Sequence, residues 1–139
     1  MVRHMKILLT IVCLVLVSSY SYSEEVSEDQ LVVREGVYYK NFSTTPFTGT
    51  YVEFYENGQL LWMGNLKDGK QDGLWKGYNE KGQLVNRGNW RNGKQHGLYE
   101  TFYENGQLWT RSNYKDGELH GLSEQFYENG QLKSQINYN

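Results

Sequence analysis

Two histidines are the residues of this chain whose type and spacing come nearest to a metal site. His96 and His120 stand 24 residues apart, and each directly precedes a glycine. Zinc sites use such imidazoles when further ligands lie within reach. Adjacent β-hairpins would hold these side chains about 10 Å apart, or two strand spacings, and no third ligand recurs with them. We therefore predict no metal site and interpret both histidines as turn residues.

Glutamates recur in pairs along the chain, and many hydrolases use a pair of carboxylates as catalytic acid and base. Paired catalytic carboxylates occupy one asymmetric cleft, whereas these pairs return in three copies of one segment. No serine lies in a nucleophile-elbow context, and no glycine run resembles a phosphate-binding loop. We predict no catalytic residue and no cofactor, so the chain is not expected to be an enzyme. The pairs are Glu53 with Glu56, Glu100 with Glu104, and Glu124 with Glu128.

The charge and cysteine content exclude further classes of function. The 139 residues carry a net charge of −2 with acidic and basic side chains interspersed, which is not the basic stripe that follows a phosphate backbone. We therefore expect no binding to nucleic acid. Cys13 is the sole cysteine, so no disulfide framework is available.

The first 23 residues have the layout of a secretory signal peptide. Arg3 and Lys6 give a positive segment, residues 7–17 are almost entirely apolar, and small polar residues follow. The apolar run is shorter than the roughly 20 residues of a transmembrane helix, so we predict cleavage after Ser23. A retained membrane anchor is the alternative. Cleavage would leave no stable transmembrane segment and would place the protein outside the cell or in the periplasm or cell envelope.

Beyond this segment, the chain is organised by glycines that repeat every 24 residues. A fixed period of roughly 20–50 residues indicates a repeat array, and arrays generally present surfaces. Glycine pairs such as Asn-Gly and Asp-Gly mark tight reversals of the chain. The predicted turn glycines are Gly58, Gly82, Gly106 and Gly130, each before Gln-Leu, and Gly69, Gly93 and Gly117.

Each copy reads as a β-hairpin, because aromatic and β-branched residues alternate with polar ones and no helical period persists. The predicted fold is all-β, an elongated and twisted antiparallel sheet of successive hairpins. Residues 24–46 would form a flexible leader followed by capping strands, and residues 47–139 would form four 24-residue repeats. An open edge strand in the last hairpin could pair with a second copy of the chain.

The turn at Gly58 decides which side chains share a face of the sheet. A two-residue loop would place Tyr55 opposite Leu60, whereas a three-residue loop would place Phe54 there. Lys81 is poorly suited to a positive φ angle, which favours the three-residue loop. The side predicted to be buried carries Leu74, Leu98 and Leu122; Phe54, Tyr78, Phe102 and Phe126; Leu60, Leu84, Leu108 and Leu132; Leu66, Trp90, Tyr114 and Tyr138; and the small residues Gly64, Gly88 and Ser112.

The opposite side is predicted to carry tyrosine, tryptophan and arginine, the residue types that dominate binding hot spots. Two interpretations remain open: these side chains bind a partner, or the aromatic rings stack on neighbours one hairpin away. If they bind a partner, the two arginines should be removable with little loss of stability. The candidate partner-binding residues are Tyr51, Tyr55, Trp75, Arg87, Tyr99, Tyr103, Trp109, Arg111 and Tyr127.

The repeated block resembles a known family. Residues 88–93 read Gly-Asn-Trp-Arg-Asn-Gly and are followed by Lys94 and His96-Gly97, and Tyr-Glu-Asn-Gly-Gln-Leu recurs three times. This pattern is similar to the MORN-repeat-variant family, often labelled YwqK-type antitoxins, over most of the chain after residue 45. The chain departs from it at Ser112, Ser123 and Ile136. The resemblance implies a sheet of hairpins that binds proteins and a toxin as one kind of partner.

Two functions from different classes follow. The first is a secreted scaffold for protein–protein interaction, of the antitoxin or immunity type. The second is a module that binds carbohydrate or cell wall, since aromatic hairpin repeats also stack sugars and quaternary ammonium groups. Regular ligand cages would need tryptophan at one repeated position, whereas Trp62, Trp75, Trp90 and Trp109 occupy four different positions of the repeat. This scatter favours a protein partner.

Overall fold

A computed structural model describes residues 23–139, and the predicted signal peptide lies outside them except for Ser23. The described chain contains β-strands and one short 3₁₀ turn, Glu28–Gln30, which confirms the predicted all-β fold. The strands are β1 Glu25–Ser27, β2 Leu31–Arg34, β3 Val37–Lys40, β4 Gly49–Phe54, β5 Leu60–Lys67, β6 Lys70–Tyr78, β7 Leu84–Arg91, β8 Lys94–Phe102, β9 Leu108–Lys115, β10 Glu118–Phe126 and β11 Leu132–Tyr138.

Strands β4 to β11 follow one another in a single antiparallel sheet, while β2 and β3 form a separate hairpin. Two kinds of turn alternate along the sheet. At the first kind, the Tyr55 amide donates to the Gln59 carbonyl (2.8 Å) and the Gly58 amide donates to the Tyr55 carbonyl (2.9 Å). At the second kind, Asp68 and Gly69 both have positive φ, 50° and 72°, as a two-residue hairpin requires. The first kind occurs once within each of the four repeats, and the second joins each repeat to the next.

The predicted register is confirmed at the first turn, because Phe54 lies opposite Leu60. The predicted division of the two faces is wrong. The register shifts between Glu53 and Phe54, so that Leu61 is an extra residue on β5. One extra residue reverses the inward and outward alternation beyond it. Leu66 and Gly64 therefore lie on the same side as Tyr51, whereas Phe54 and Leu60 lie on the other side.

We call the side that carries Tyr51, Trp75 and Tyr99 the aromatic face, and the side that carries Arg87, Glu100 and Arg111 the ion-pair face. The main core lies on the aromatic face, at the amino-terminal end of the sheet. There the Tyr51 and Trp75 rings have centroids 5.3 Å apart. The core consists of Val26, Phe47, Tyr51, Leu66 and Trp75, with Leu31, Tyr38, Trp62 and Trp90 packed against it.

Residues without a large side chain make room for the rings on this face. A Cβ atom on Gly64 would lie 2.2 Å from the Trp75 ring, and one on Gly88 would lie 2.4 Å from the Tyr99 ring. Ser112 occupies the next corresponding position, and its neighbour on β10 is Ser123, with the two hydroxyl oxygens 2.7 Å apart. A glycine on one strand thus leaves room for an aromatic ring on the next strand. In the last such pair both positions are serine, Ser112 and Ser123.

The amino-terminal segment covers this core. Residues 25–27 were predicted to belong to a flexible leader, but they form β1, which pairs in parallel with β4 and buries Val26. The β2–β3 hairpin packs beside it: the Tyr38 amide donates to the Gly69 carbonyl (2.8 Å), and the Gly69 amide donates to the Phe47 carbonyl (2.7 Å). This segment adds β1 as the edge strand beside β4 and packs against the core of the first hairpins, whereas β11 forms the other edge of the sheet.

The fit of a ring over glycine can be tested with a double-mutant cycle. Gly88→Ala should lower the free energy of unfolding by about 1–3 kcal/mol, because the new methyl group overlaps the Tyr99 ring. In a Tyr99→Ser background the same change should be neutral or stabilising, as in the natural Ser112–Ser123 pair. Denaturant unfolding of the four proteins measures the coupling. Additive effects of the two changes would contradict this account.

Candidate interaction surfaces

Two residues of the predicted partner-binding face are core residues. Tyr51 and Trp75 expose only 5% and 4% of their surface. The Trp75 indole donates to the Asn65 carbonyl (3.1 Å), and the Tyr51 hydroxyl donates to a Glu53 carboxylate oxygen (2.8 Å). Their assignment to an exposed face is wrong because the extra residue on β5 and the amino-terminal cap were not visible in the repeat pattern.

The other predicted tyrosines connect neighbouring hairpins. The Tyr55 hydroxyl donates to the Tyr78 carbonyl and the Tyr103 hydroxyl donates to the Phe126 carbonyl, both at 2.9 Å. Tyr99 instead meets Tyr114 of its own hairpin edge to face, with centroids 6.0 Å apart. The predicted stacking of rings between neighbouring hairpins is seen for Tyr51 and Trp75. Tyr127, in the last copy, is exposed.

The predicted arginines hold a buried carboxylate on the ion-pair face. Glu100 exposes 4% of its surface. Arg87 Nε donates to one of its oxygens (2.6 Å) and Arg111 Nε donates to the other (3.2 Å), while Arg111 also lies 3.7 Å from Glu124. The Arg87 guanidinium lies 5.5 Å from the Phe102 ring centroid. Both arginines therefore have a structural role, and we no longer expect their loss to leave stability nearly unchanged.

The ion-pair face also carries a row of exposed leucines, which were predicted to lie on the buried side. Leu74, Leu98 and Leu122 expose 43%, 37% and 41% of their surface. Each lies directly opposite an asparagine of the neighbouring strand. The row repeats once per hairpin, so its members lie about 10 Å apart across the sheet. The 24-residue spacing of these leucines is visible in the sequence. The face on which they lie was predicted wrongly because the inward and outward alternation of side chains reverses.

The histidines lie together in a shallow depression with Tyr114 and Lys115. The Asp116 amide donates to His96 Nδ1 (3.4 Å), and the side chain of Arg91 donates to the Asp116 carboxylate (3.1 Å). That arginine lowers the pKa of Asp116, with a further contribution from His96. Within residues 23–139, no three His, Cys, Asp or Glu side chains converge as metal ligands would.

Comparison with known families agrees with the repeat boundaries seen in the sheet. The model of the MORN repeat variant family matches residues 47–68, 71–92, 95–116 and 119–139. Each match spans one of the three-residue turns and the strands on either side of it. No curated protein matches the sequence significantly. Across the described part of the chain, no helix has the length and apolar character needed to cross a bilayer.

Removal of both arginines should destabilise the sheet, because it leaves the Glu100 carboxylate buried without a cationic partner. Arg87→Ala combined with Arg111→Ala should lower the unfolding free energy by about 2 kcal/mol or more. Adding Glu100→Gln should restore part of this loss. Arg91→Ala, which breaks the exposed pair with Asp116, is the control and should cost much less. Equal losses in denaturant unfolding would contradict the structural role.

Alkaline pH should reveal the buried hydroxyl of Tyr51. Burial, together with the hydrogen bond to Glu53, raises the pKa of Tyr51. A raised folded-state pKa stabilises the fold below the unfolded value, about pH 10, and this contribution is lost as pH rises above it. Between about pH 9.5 and 11.5, wild type should lose more unfolding free energy than Tyr51→Phe. Tyr127→Phe, which alters an exposed tyrosine, should behave as wild type, and a parallel response of all three proteins would refute the assignment.

Proposed function

The chain belongs to the MORN repeat variant family, and from this premise we propose that it is a non-enzymatic repeat scaffold that binds another protein through its ion-pair face. The row of exposed leucines carries the proposal. A leucine at one position of each hairpin, with an asparagine between successive leucines, gives a periodic strip of exposed apolar side chains on one face, and exposed apolar side chains grouped on one face are a feature of interaction surfaces.

The charges beside the strip support a protein partner. Arg87 and Arg111 are about half exposed although each contacts Glu100, so their outer guanidinium edges can reach a partner. The Phe102 and Phe126 rings lie beside these guanidinium groups. Apolar area bordered by arginine and aromatic side chains is the usual composition of a protein–protein interface.

We place this scaffold outside the cell or in the cell envelope, on the strength of the signal-peptide pattern in residues 1–23. In that compartment an immunity role, in which the chain neutralises a toxin by binding it, fits the resemblance of the repeats to antitoxin-like proteins. A partner toxin would cover the leucine row and would pair with the fixed arginines.

The test is capture of partners by the tagged full chain from an extract of the cell envelope, with purified peptidoglycan tested in parallel. Wild type should retain a stoichiometric protein partner. Leu98→Asp should weaken that retention by at least about tenfold, because it places a charge in the centre of the apolar strip. Gln107→Asp, which adds the same charge at an exposed turn, should retain the partner as wild type does.

Three outcomes decide between the proposals. A partner that arrests growth when produced alone, and is harmless when produced with this chain, supports the immunity role. Equal retention by Leu98→Asp and Gln107→Asp, with both proteins folded by circular dichroism, would place the binding surface elsewhere. Retention by wall polymer alone, abolished by Trp109→Ala, would favour the carbohydrate-binding module. Trp75→Ala is unsuitable here because that side chain belongs to the core.

A further inference from the structure

A cavity of about 300 Å³ opens on the aromatic face, between the β2–β3 hairpin and the sheet. Ligand pockets have volumes of roughly 300–1,000 Å³, so this one suits a small molecule or a single side chain. Six of its ten lining residues are aromatic, and the others include one carboxylate and two side-chain amides. The aromatic lining residues are Tyr38, Tyr51, Trp62, Trp75, Trp90 and Tyr99.

The rings of this cavity are held by contacts that need no ligand. Tyr99 lies over Gly88, and Trp62 lies over Gly77 and beside Asn86. Trp75 is fixed by its indole hydrogen bond and by the Tyr51 ring. A ligand would therefore meet aromatic faces that are already in place, which reduces the entropy lost on binding.

The charge of the cavity favours a cation. Glu53 is the only Asp, Glu, Lys, Arg or His side chain in the lining, and it lies directly opposite Trp62 on the neighbouring strand. The Tyr51 hydroxyl donates a hydrogen bond to one Glu53 carboxylate oxygen (2.8 Å). Glu53 also borders a second depression that contains Glu28 and Asp29. Aromatic faces and carboxylates attract cations, and both repel anions.

The cavity belongs to one end of the repeat array. The positions that correspond to Trp62 in later copies hold Asn86, Thr110 and Ser134, and Tyr38 comes from the amino-terminal hairpin. Repetition of the sheet alone therefore does not account for the arrangement.

We propose that this aromatic cavity binds one organic cation, with the charged group held by its aromatic rings and by the Glu53 carboxylate. Guanidinium and quaternary ammonium groups both have the charge and size for the site. The first would come from an arginine side chain of a polypeptide, and the second from a choline-like molecule. The site lies on the face opposite the proposed protein-binding strip, so it can be tested without a protein partner.

The test is a titration of the purified full chain followed by the NMR signals of its four indole N–H groups. Two cationic probes, N-acetylarginine methylamide and choline, are compared with a neutral probe, N-acetylcitrulline methylamide. Trp62 and Trp90 should shift with at least one cationic probe, and the neutral probe should bind about tenfold more weakly or worse. Trp109, which lies outside the cavity, is the internal control. The probe that binds more tightly identifies the source of the cation.

Two variants distinguish recognition of charge from loss of shape. Glu53→Gln keeps a group that accepts the Tyr51 hydrogen bond and should weaken cation binding about tenfold. Glu124→Gln removes a carboxylate from the opposite face and should leave binding unchanged. Trp62→Asn installs the residue of the next repeat and should abolish the shifts, with thermal unfolding as the check on folding.

Three results would overturn the proposal. They are equal binding of the arginine and citrulline probes, no shift with either cation, or shifts of Trp62 and Trp90 with N-acetylglucosamine oligomers alone, which would indicate a sugar site. None of these results bears on partner capture through the leucine row, so the two proposals fail separately.

Discussion

The structure depends on packing between neighbouring strands of a sheet that has no second layer over most of its length. Such a sheet can bury a large ring only if the adjacent strand offers a position without a side chain. Gly64 and Gly88 are those positions, and the rings of Trp75 and Tyr99 occupy the space above them. The repeat therefore specifies pairs of residues on adjacent strands: a glycine on one strand and an aromatic ring on the next.

The sequence predicted the hairpins and their register well, because turns are decided locally. Glycine at a fixed interval and Lys81 before Gly82 were sufficient to choose the three-residue loop. The two faces could not be predicted in the same way. One extra residue on β5, Leu61, reverses the inward and outward alternation of side chains. No residue type at that position predicts this irregularity. The burial of Val26 was also hidden, because a short polar segment gave no sign that it would pair with β4.

The two faces contribute to stability by different means. The aromatic face buries rings beneath the amino-terminal cap, whereas the ion-pair face buries one carboxylate, Glu100, between two guanidinium groups. Such a buried ion adds little net stability, because desolvation offsets most of its attraction. Its main effect is to order the neighbouring side chains. The carboxylate holds both arginines and the adjacent phenylalanine rings in fixed positions beside the leucine row. A surface of this kind is preorganised for binding.

The two ends of the array differ, because the amino-terminal segment packs against the core of the first hairpins whereas β11 is the last strand of the sheet. Most core residues precede β7, and the hairpins beyond it rest mainly on their neighbours. In repeat arrays a stable unit acts as a nucleus from which order spreads to adjoining units. Folding would therefore begin at the cap and lengthen the sheet toward β11, in the order in which the chain is synthesised. Hydrogen exchange would advance from the opposite end, with the last hairpin opening first.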